Sequence, residues 1–233
     1  MHIKGLQKLS LIEYPGKTSA IVFLAGCNFR CPFCHNPELV EHSLYDNTPN
    51  FEVREILNIL AGRKKWIDGV AVTGGEPCIN PDLPEFLKKI KSLGLSVCLE
   101  TNSSKPDMLK RLIDECLVDY VAMDIKAHPA GYGRASGCPD IDIHEIDRST
   151  RILMASPVDY EFRTTFVPGI HSVSDIAEIG KWLDGAKRFV IQGFRPGKTL
   201  DPEYMKMQQP PREELRKAAD LVQGNFREVI IRD

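Results

Sequence analysis

The sequence predicts an α/β fold, a partial (β/α)6 barrel of the TIM-like kind, on three observations. Short β-branched runs recur along the chain, each is followed by an amphipathic helical pattern, and no linker, repeat or low-complexity tract interrupts them. Alternation of this kind implies parallel strands joined by right-handed crossovers. Six such units and a closing "FREVIIRD" fall short of a full eight-unit barrel, which takes about 250 residues before insertions. A doubly wound open sheet satisfies the same pattern and stays the alternative. The chain reads as one domain over 1–233: an N-terminal extension (1–19), a core (20–200), and a C-terminal helix and strand (201–233).

The strands are expected at "AIVFLAG" (20–26), "GVAVTG" (69–74), "LSVCLE" (95–100), "DYVAMDIK" (119–126), "EFRTTFVP" (161–168) and "RFVIQGF" (188–194). Of the helical segments, "PDLPEFLKKIKSLG" is the clearest. Leu83, Phe86, Leu87, Ile90 and Leu93 share one face, Pro84 suits the first turn and Gly94 the exit. "FEVREILNILAG", "KPDMLKRLIDEC", "SVSDIAEIGKWLDG" and "PREELRKAADLV" read alike. The most irregular stretch, "AHPAGYGRASGCPDIDIH" (127–144), is expected to be a loop over one end of the sheet.

Composition narrows the function. With 233 residues, 42% of them hydrophobic, there is material for one sizeable core. A net charge of −2 and a pI near 6.3 give no electrostatic case for nucleic acid or an anionic membrane as main partner. The first residues lack the apolar core of a secretion signal, and no apolar run is long enough to span a bilayer. Seven cysteines, an odd number with three clustered, point to a reducing compartment and to thiols used for metal or redox chemistry. The cytoplasm is the expected location.

In either architecture ligands bind at the carboxyl ends of the strands, and polar residues gather there. Cys27 follows the first strand, Gly74, Gly75 and Glu76 the second, and Glu100, Thr101 and Asn102 the third. Asp124 and Lys126 end the fourth, Arg163 and Thr165 lie in the fifth, and Gln192 and Arg195 end the sixth. Asp124 and Lys126, two apart, should point to one face; a structural salt bridge would suit the pair as well as a site would.

"GCNFRCPFCHN" places Cys27, Cys31 and Cys34 within eight residues and supplies no fourth. Structural zinc normally takes four ligands, and His35 directly follows Cys34, so its side chain diverges from theirs. Iron–sulfur clusters also normally carry four thiolates, so three leave one iron exchangeable. An open coordination position marks a catalytic centre. Cys78, Cys98, Cys116 and Cys138 show no further C-x2-C pair and are expected to be small buried hydrophobes.

The spacing C-x3-C-x2-C, with Phe33 before the last cysteine and Gly-Gly-Glu-Pro after the next strand, resembles the signature of the radical S-adenosylmethionine (SAM) superfamily. Over residues 5 to 200 the chain is similar to activating enzymes of glycyl-radical proteins. "LSLIEYPGKTSAIVFLAGCNFRCPFCHNPELV" looks most like the longer activators of anaerobic ribonucleoside-triphosphate reductase, relatives of the pyruvate formate-lyase activators. The resemblance implies a partial barrel of the radical SAM type. It implies a [4Fe–4S] cluster on the three cysteines, SAM on the open iron, and a 5′-deoxyadenosyl radical that takes hydrogen from a partner's glycine.

By the same resemblance Gly74 and Gly75 let the backbone approach the cofactor closely, Glu76 meets its ammonium, His35 and Asn36 lie against its adenine, and Phe33 counts among the cofactor-binding residues. Asp124 lies near its polar end, and Lys126 near its carboxylate or the substrate peptide. Arg163 points inward. Glu100 and Thr101, with Asp124, border a monovalent cation near the carboxylate, and Asn102 counts among the cofactor-binding residues. A flavodoxin- or ferredoxin-type protein would supply electrons. One departure stands out: the pyruvate formate-lyase activators carry a histidine after the sixth strand, where this chain has "IQGFRPG", leaving Gln192, Phe194 or Arg195 to replace it. Rival readings are a small-molecule radical SAM enzyme such as 7-carboxy-7-deazaguanine synthase, and a non-enzymatic metal-binding module.

Overall fold

The computed structural model describes residues 1–232. In chain order the elements are β1 (His2–Ser10), β2 (Ser19–Ala25), α1 (His42–Tyr45), α2 (Val53–Arg63), β3 (Gly69–Gly74), α3 (Leu83–Ser92), β4 (Ser96–Thr101), α4 (Pro106–Asp114) and β5 (Tyr120–Asp124). There follow α5 (Tyr132–Ser136), α6 (Ile143–Ala155), β6 (Asp159–Phe166), α7 (Val173–Trp182), β7 (Ala186–Gly193), α8 (Arg212–Val222) and β8 (Phe226–Arg232). The fold is α/β, with a mainly parallel eight-stranded sheet in the order β1 to β8.

Two compact units divide the chain. Met1–Asn28, Glu38–Ala122 and Ser156–Asp159 form the first; Phe29–Pro37, Met123–Ala155 and the described chain from Tyr160 onward form the second. In the first, β1 runs antiparallel to β2, while β2, β3 and β4 are parallel. Their register sets Ile21, Ala71 and Cys98 abreast. Side chains alternate along a strand, so these three share a face, and they join Tyr14, Tyr120 and Ala122 in one apolar cluster. Further along that face Phe23 lies beside Thr73, and the Thr73 hydroxyl donates to Glu100 Oε2 at 2.8 Å. The face thus changes from apolar to polar toward its carboxyl end. In the second unit β6, β7 and β8 are parallel, and Arg163–Val190–Ile230 and Thr165–Gln192–Arg232 fall in register.

Strand β1 lies within the stretch read only as an extension. "HIKGLQKLS" shows little apolar alternation, and its ladder is interrupted by register shifts after Ile3 and Gln7. The strand leans on β2 because Gly5 leaves room for Phe23; a Cβ there would meet that ring at 3.1 Å. The stretch 127–144 is more ordered than a loop, since it holds α5 and the start of α6. Helix α7 opens with a capping box: Asp175 N–H donates to Ser172 Oγ at 3.3 Å and Ser172 N–H to Asp175 Oδ2 at 2.8 Å. Cys78 and Cys98 are buried as expected, but Cys116 is exposed at φ 53° just past α4, where the backbone turns and presents its side chain outward.

Candidate active site

In the first unit the turns after β2 and β3 are built against each other. Gly75 N–H donates to the Leu24 carbonyl at 2.7 Å, and Glu76 N–H to the Gly26 carbonyl at 2.8 Å. Gly74, at φ 122°, would bring a Cβ within 2.2 Å of Leu24 O, and Gly75 one within 2.1 Å of Gly26 O. The two glycines therefore admit the backbone that delivers Cys27. Gly75→Ala is expected to cost about 1–3 kcal/mol by overpacking, read as a lowered urea midpoint, and to displace the residue before Cys27.

Glu76 is fully buried. Its Oε1 accepts from Cys78 N–H at 2.9 Å and from Thr101 Oγ1 at 2.7 Å, and its Oε2 from Asn102 N–H at 2.6 Å. A carboxylate offers about four lone-pair positions, so the chain itself takes most of them. The carboxylate thereby ties the β3 turn to the end of β4. Burial pushes its pKa up, against the three hydrogen bonds. Glu76→Gln would turn an amide N–H toward one of these donors and is expected to cost about 1–3 kcal/mol, measured by denaturant unfolding.

The next link reaches the first cysteine. Asn102 Oδ1 accepts from Ser104 N–H at 3.0 Å and Ser104 Oγ at 2.7 Å, which fixes the amide's orientation. Its Nδ2 then donates to Asn28 Oδ1 at 3.0 Å and points at Cys27 Sγ at 3.9 Å.

In the second unit Cys31 and Cys34 sit in one turn, Cys34 N–H donating to the Cys31 carbonyl at 3.0 Å. The turn is held from two sides. Arg30 N–H donates to the Ser136 carbonyl of α5 at 2.8 Å, Phe29 meets Tyr132 edge-on, and Gly137 (φ 66°) leaves no space for a Cβ beside Arg30 O. Opposite, Leu200 N–H donates to Cys34 O at 3.1 Å and Asp201 N–H to Pro32 O at 2.9 Å. The irregular 127–144 segment is thus a brace for the cysteine loop.

Asp124 ends β5 as expected; Lys126 lies past the strand, yet the two still meet. Lys126 Nζ is 2.9 Å from Asp124 Oδ2 and Arg163 Nε 3.0 Å from Oδ1. Burial opposes ionisation of Asp124, but the two cations outweigh it and pull its pKa down to about 2. Burial likewise works against the Lys126 ammonium, and Asp124 overrides it, with a smaller push from Cys31, leaving Lys126 firmly charged.

His35 stacks on Phe194, ring centroids 5.4 Å apart and planes 15° from parallel, and its Nε2 lies 2.9 Å from the Arg195 carbonyl. The segment that lacks the expected histidine therefore engages His35 instead. Gln192 and Asn36 are half-buried, and Phe33 is buried.

Sequence reading missed His171, which is buried. Val167 N–H donates to its Nδ1 at 3.0 Å, its Nε2 lies 2.8 Å from the Lys126 carbonyl, and its ring meets Phe33 and Phe166. The available signal was a histidine just past a Pro-Gly turn at a strand end.

The first unit thus carries a thiol and tight glycines at its strand ends, and the second carries two thiols in one turn and a buried ion-pair cluster. Residues 21–183 match the model of the Radical SAM superfamily, and the chain belongs to that superfamily. A Methanocaldococcus jannaschii protein assigned by inference as a glycyl-radical enzyme activating enzyme is 33% identical, over 99% of this chain and 95% of its own. The pyruvate formate-lyase-activating enzyme of Staphylococcus epidermidis is 28% identical over 94% and 93%. Among solved structures, SuiB of Streptococcus suis shares the fold at TM-score 0.63 and 16% identity, over 90% of this chain and 48% of its own. Coproporphyrinogen III oxidase (HemN) of Escherichia coli does so at 0.59 and 12%, over 91% and 54%. This chain spans about half the length of those two structures.

Membership implies a [4Fe–4S] cluster and SAM. The donor chemistry suits them: Cys27 of the first unit is a thiol with an amide N–H directed at it, and Cys31 and Cys34 of the second are thiols whose turn is fixed by backbone bonds. Among the described residues no three His, Cys, Asp or Glu side chains close on a single ion; a cluster spreads its thiolates over separate irons and needs a wider set. No helix among these residues is long and apolar enough to cross a membrane.

Proposed function

We propose that the chain activates a glycyl-radical enzyme, removing a hydrogen atom from a backbone glycine of that partner, with anaerobic ribonucleoside-triphosphate reductase as the target. The observation that carries this reading is the 33% identity to the M. jannaschii relative over nearly the whole of both chains. The opening segment, similar to reductase activators, adds the choice of target. A second reading, pyruvate formate-lyase as target, is favoured by the S. epidermidis relative.

Under this proposal Cys27, Cys31 and Cys34 hold the cluster as thiolates. The bound cluster and SAM supply a one-electron cleavage of the sulfonium and a carbon radical able to abstract hydrogen. Asn102 directs an N–H at Cys27, the kind of bond that tunes cluster potential. Gly74, Gly75 and Glu76 shape the turn that receives the cofactor's amino end. Phe33, His35, Asn36 and Gln192 flank its adenosine. Lys126 and Arg163 carry positive charge toward its carboxylate or the incoming peptide, held in place by Asp124. Glu100, Thr101 and Asp124 offer oxygens to a monovalent cation. The apolar cluster around Ile21 and Cys98 excludes water below. A flavodoxin or ferredoxin delivers the electron.

The test is anaerobic reconstitution, then incubation with SAM, reductant and each candidate target, followed by electron paramagnetic resonance. A glycine-centred radical on the reductase is expected. A radical on pyruvate formate-lyase alone selects the second reading. SAM cleavage that responds only to a small molecule overturns both.

A further inference from the structure

We propose that His171 is a positioning residue: its imidazole holds the main chain at Lys126 and the Phe33 ring of the cysteine turn in one fixed relation. Nδ1 accepts the Val167 N–H at 3.0 Å, so it carries no proton. The ring's one N–H is therefore on Nε2, where it donates to the Lys126 carbonyl at 2.8 Å. Protonation of both nitrogens would set two N–H groups against each other at Val167, and burial also lowers the histidine's pKa. The ring is thus a neutral staple of a single tautomer.

Its surroundings make the staple stiff. The turn from Val167 to His171 is closed by Ile170 N–H and His171 N–H, at 3.1 and 2.8 Å from the Val167 carbonyl. Arg134 donates to Gly169 O at 2.7 Å and so ties the brace 127–144 to the same turn. On the other side, Phe33, between Cys31 and Cys34, meets the ring edge-on at 6.4 Å. The residue before Lys126 is fixed from β6, with Ile125 N–H on Arg163 O at 2.7 Å and Thr164 Oγ1 on Ile125 O at 2.9 Å. His171 adds the hold on Lys126 itself, and so sets where the ammonium stands.

The inference rests on the proposed role of Lys126 toward SAM or the peptide, and its test separates the two. A glutamine places an N–H where Nε2 stands, whereas an asparagine places its polar group where Nδ1 stands. His171→Gln is expected to keep SAM affinity within about threefold of wild type and His171→Asn to lose about tenfold, the size of a supporting-residue effect. In a Lys126→Ala background the two should bind alike. Hydrogen exchange of the peptide over 124–128 in apo protein, with no cluster or SAM needed, should quicken in His171→Asn and stay near wild type in His171→Gln. Equal effects of the two variants on exchange, or the same binding loss with and without Lys126, would overturn the assignment. If wild-type protein binds no SAM, the proposed function fails, while the exchange comparison still decides on His171.

Discussion

Cys34→Ala is expected to abolish SAM cleavage while leaving the fold in place. The side chain is half-buried, and the turn's hydrogen bonds run through the backbone: Cys34 N–H to Cys31 O and Leu200 N–H to Cys34 O. Deleting the sulfur spares both, so stability should change by no more than about 1 kcal/mol. The function should be lost because two thiolates do not retain a cluster that normally takes four ligands. Iron content, the visible absorption of the reconstituted protein and 5′-deoxyadenosine formation report the loss; circular dichroism reports the intact fold. Cys138→Ser, outside the motif, is the control expected to load iron normally.

Asp124→Asn should have the second largest effect, on stability and cofactor affinity together. The carboxylate faces Lys126 at 2.9 Å and Arg163 at 3.0 Å. Neutralising it leaves two cations facing each other in a largely buried site, a loss of about 3–5 kcal/mol when one partner of a buried pair is removed. The pH dependence follows from the same group. Its folded pKa, about 2, lies below the ordinary 3.8, so its contribution is present above the ordinary value and disappears as pH falls through about 2. Wild-type stability should therefore fall across that acid window more steeply than that of Asp124→Asn. Urea midpoints measured from pH 5 to 2 check this; parallel curves for the two proteins would mean that the ion pairs are not the source.

The parallel strands were legible because β-branched runs alternate with clear helical faces, and β3 was read at its observed bounds, Gly69–Gly74. β1 was not, because a mostly polar edge strand lacks the alternation that burial on one face imposes. α5 was lost in a Gly-rich stretch whose helical turn is defined by Ser136 and Gly137 meeting the cysteine loop. The C-x3-C-x2-C spacing was legible as a motif, and the meeting of Asp124 with Lys126 was expected from their closeness in sequence, although Lys126 lies past the strand and not on its parity. What Glu76 touches was not legible: its partners Thr101 and Asn102 lie at and just past the end of the next strand, 25 and 26 residues away. His171 belongs to no short motif, and its meaning comes from a carbonyl 45 residues earlier.

Under the proposed function the polypeptide leaves one iron open for SAM. Electron paramagnetic resonance of the reduced, reconstituted protein, recorded before and after adding SAM, tests it most directly. About four irons and four sulfides per chain are expected, with a cluster signal whose shape changes when SAM is added. A single zinc with no sulfide, or a cluster signal indifferent to SAM, would contradict it.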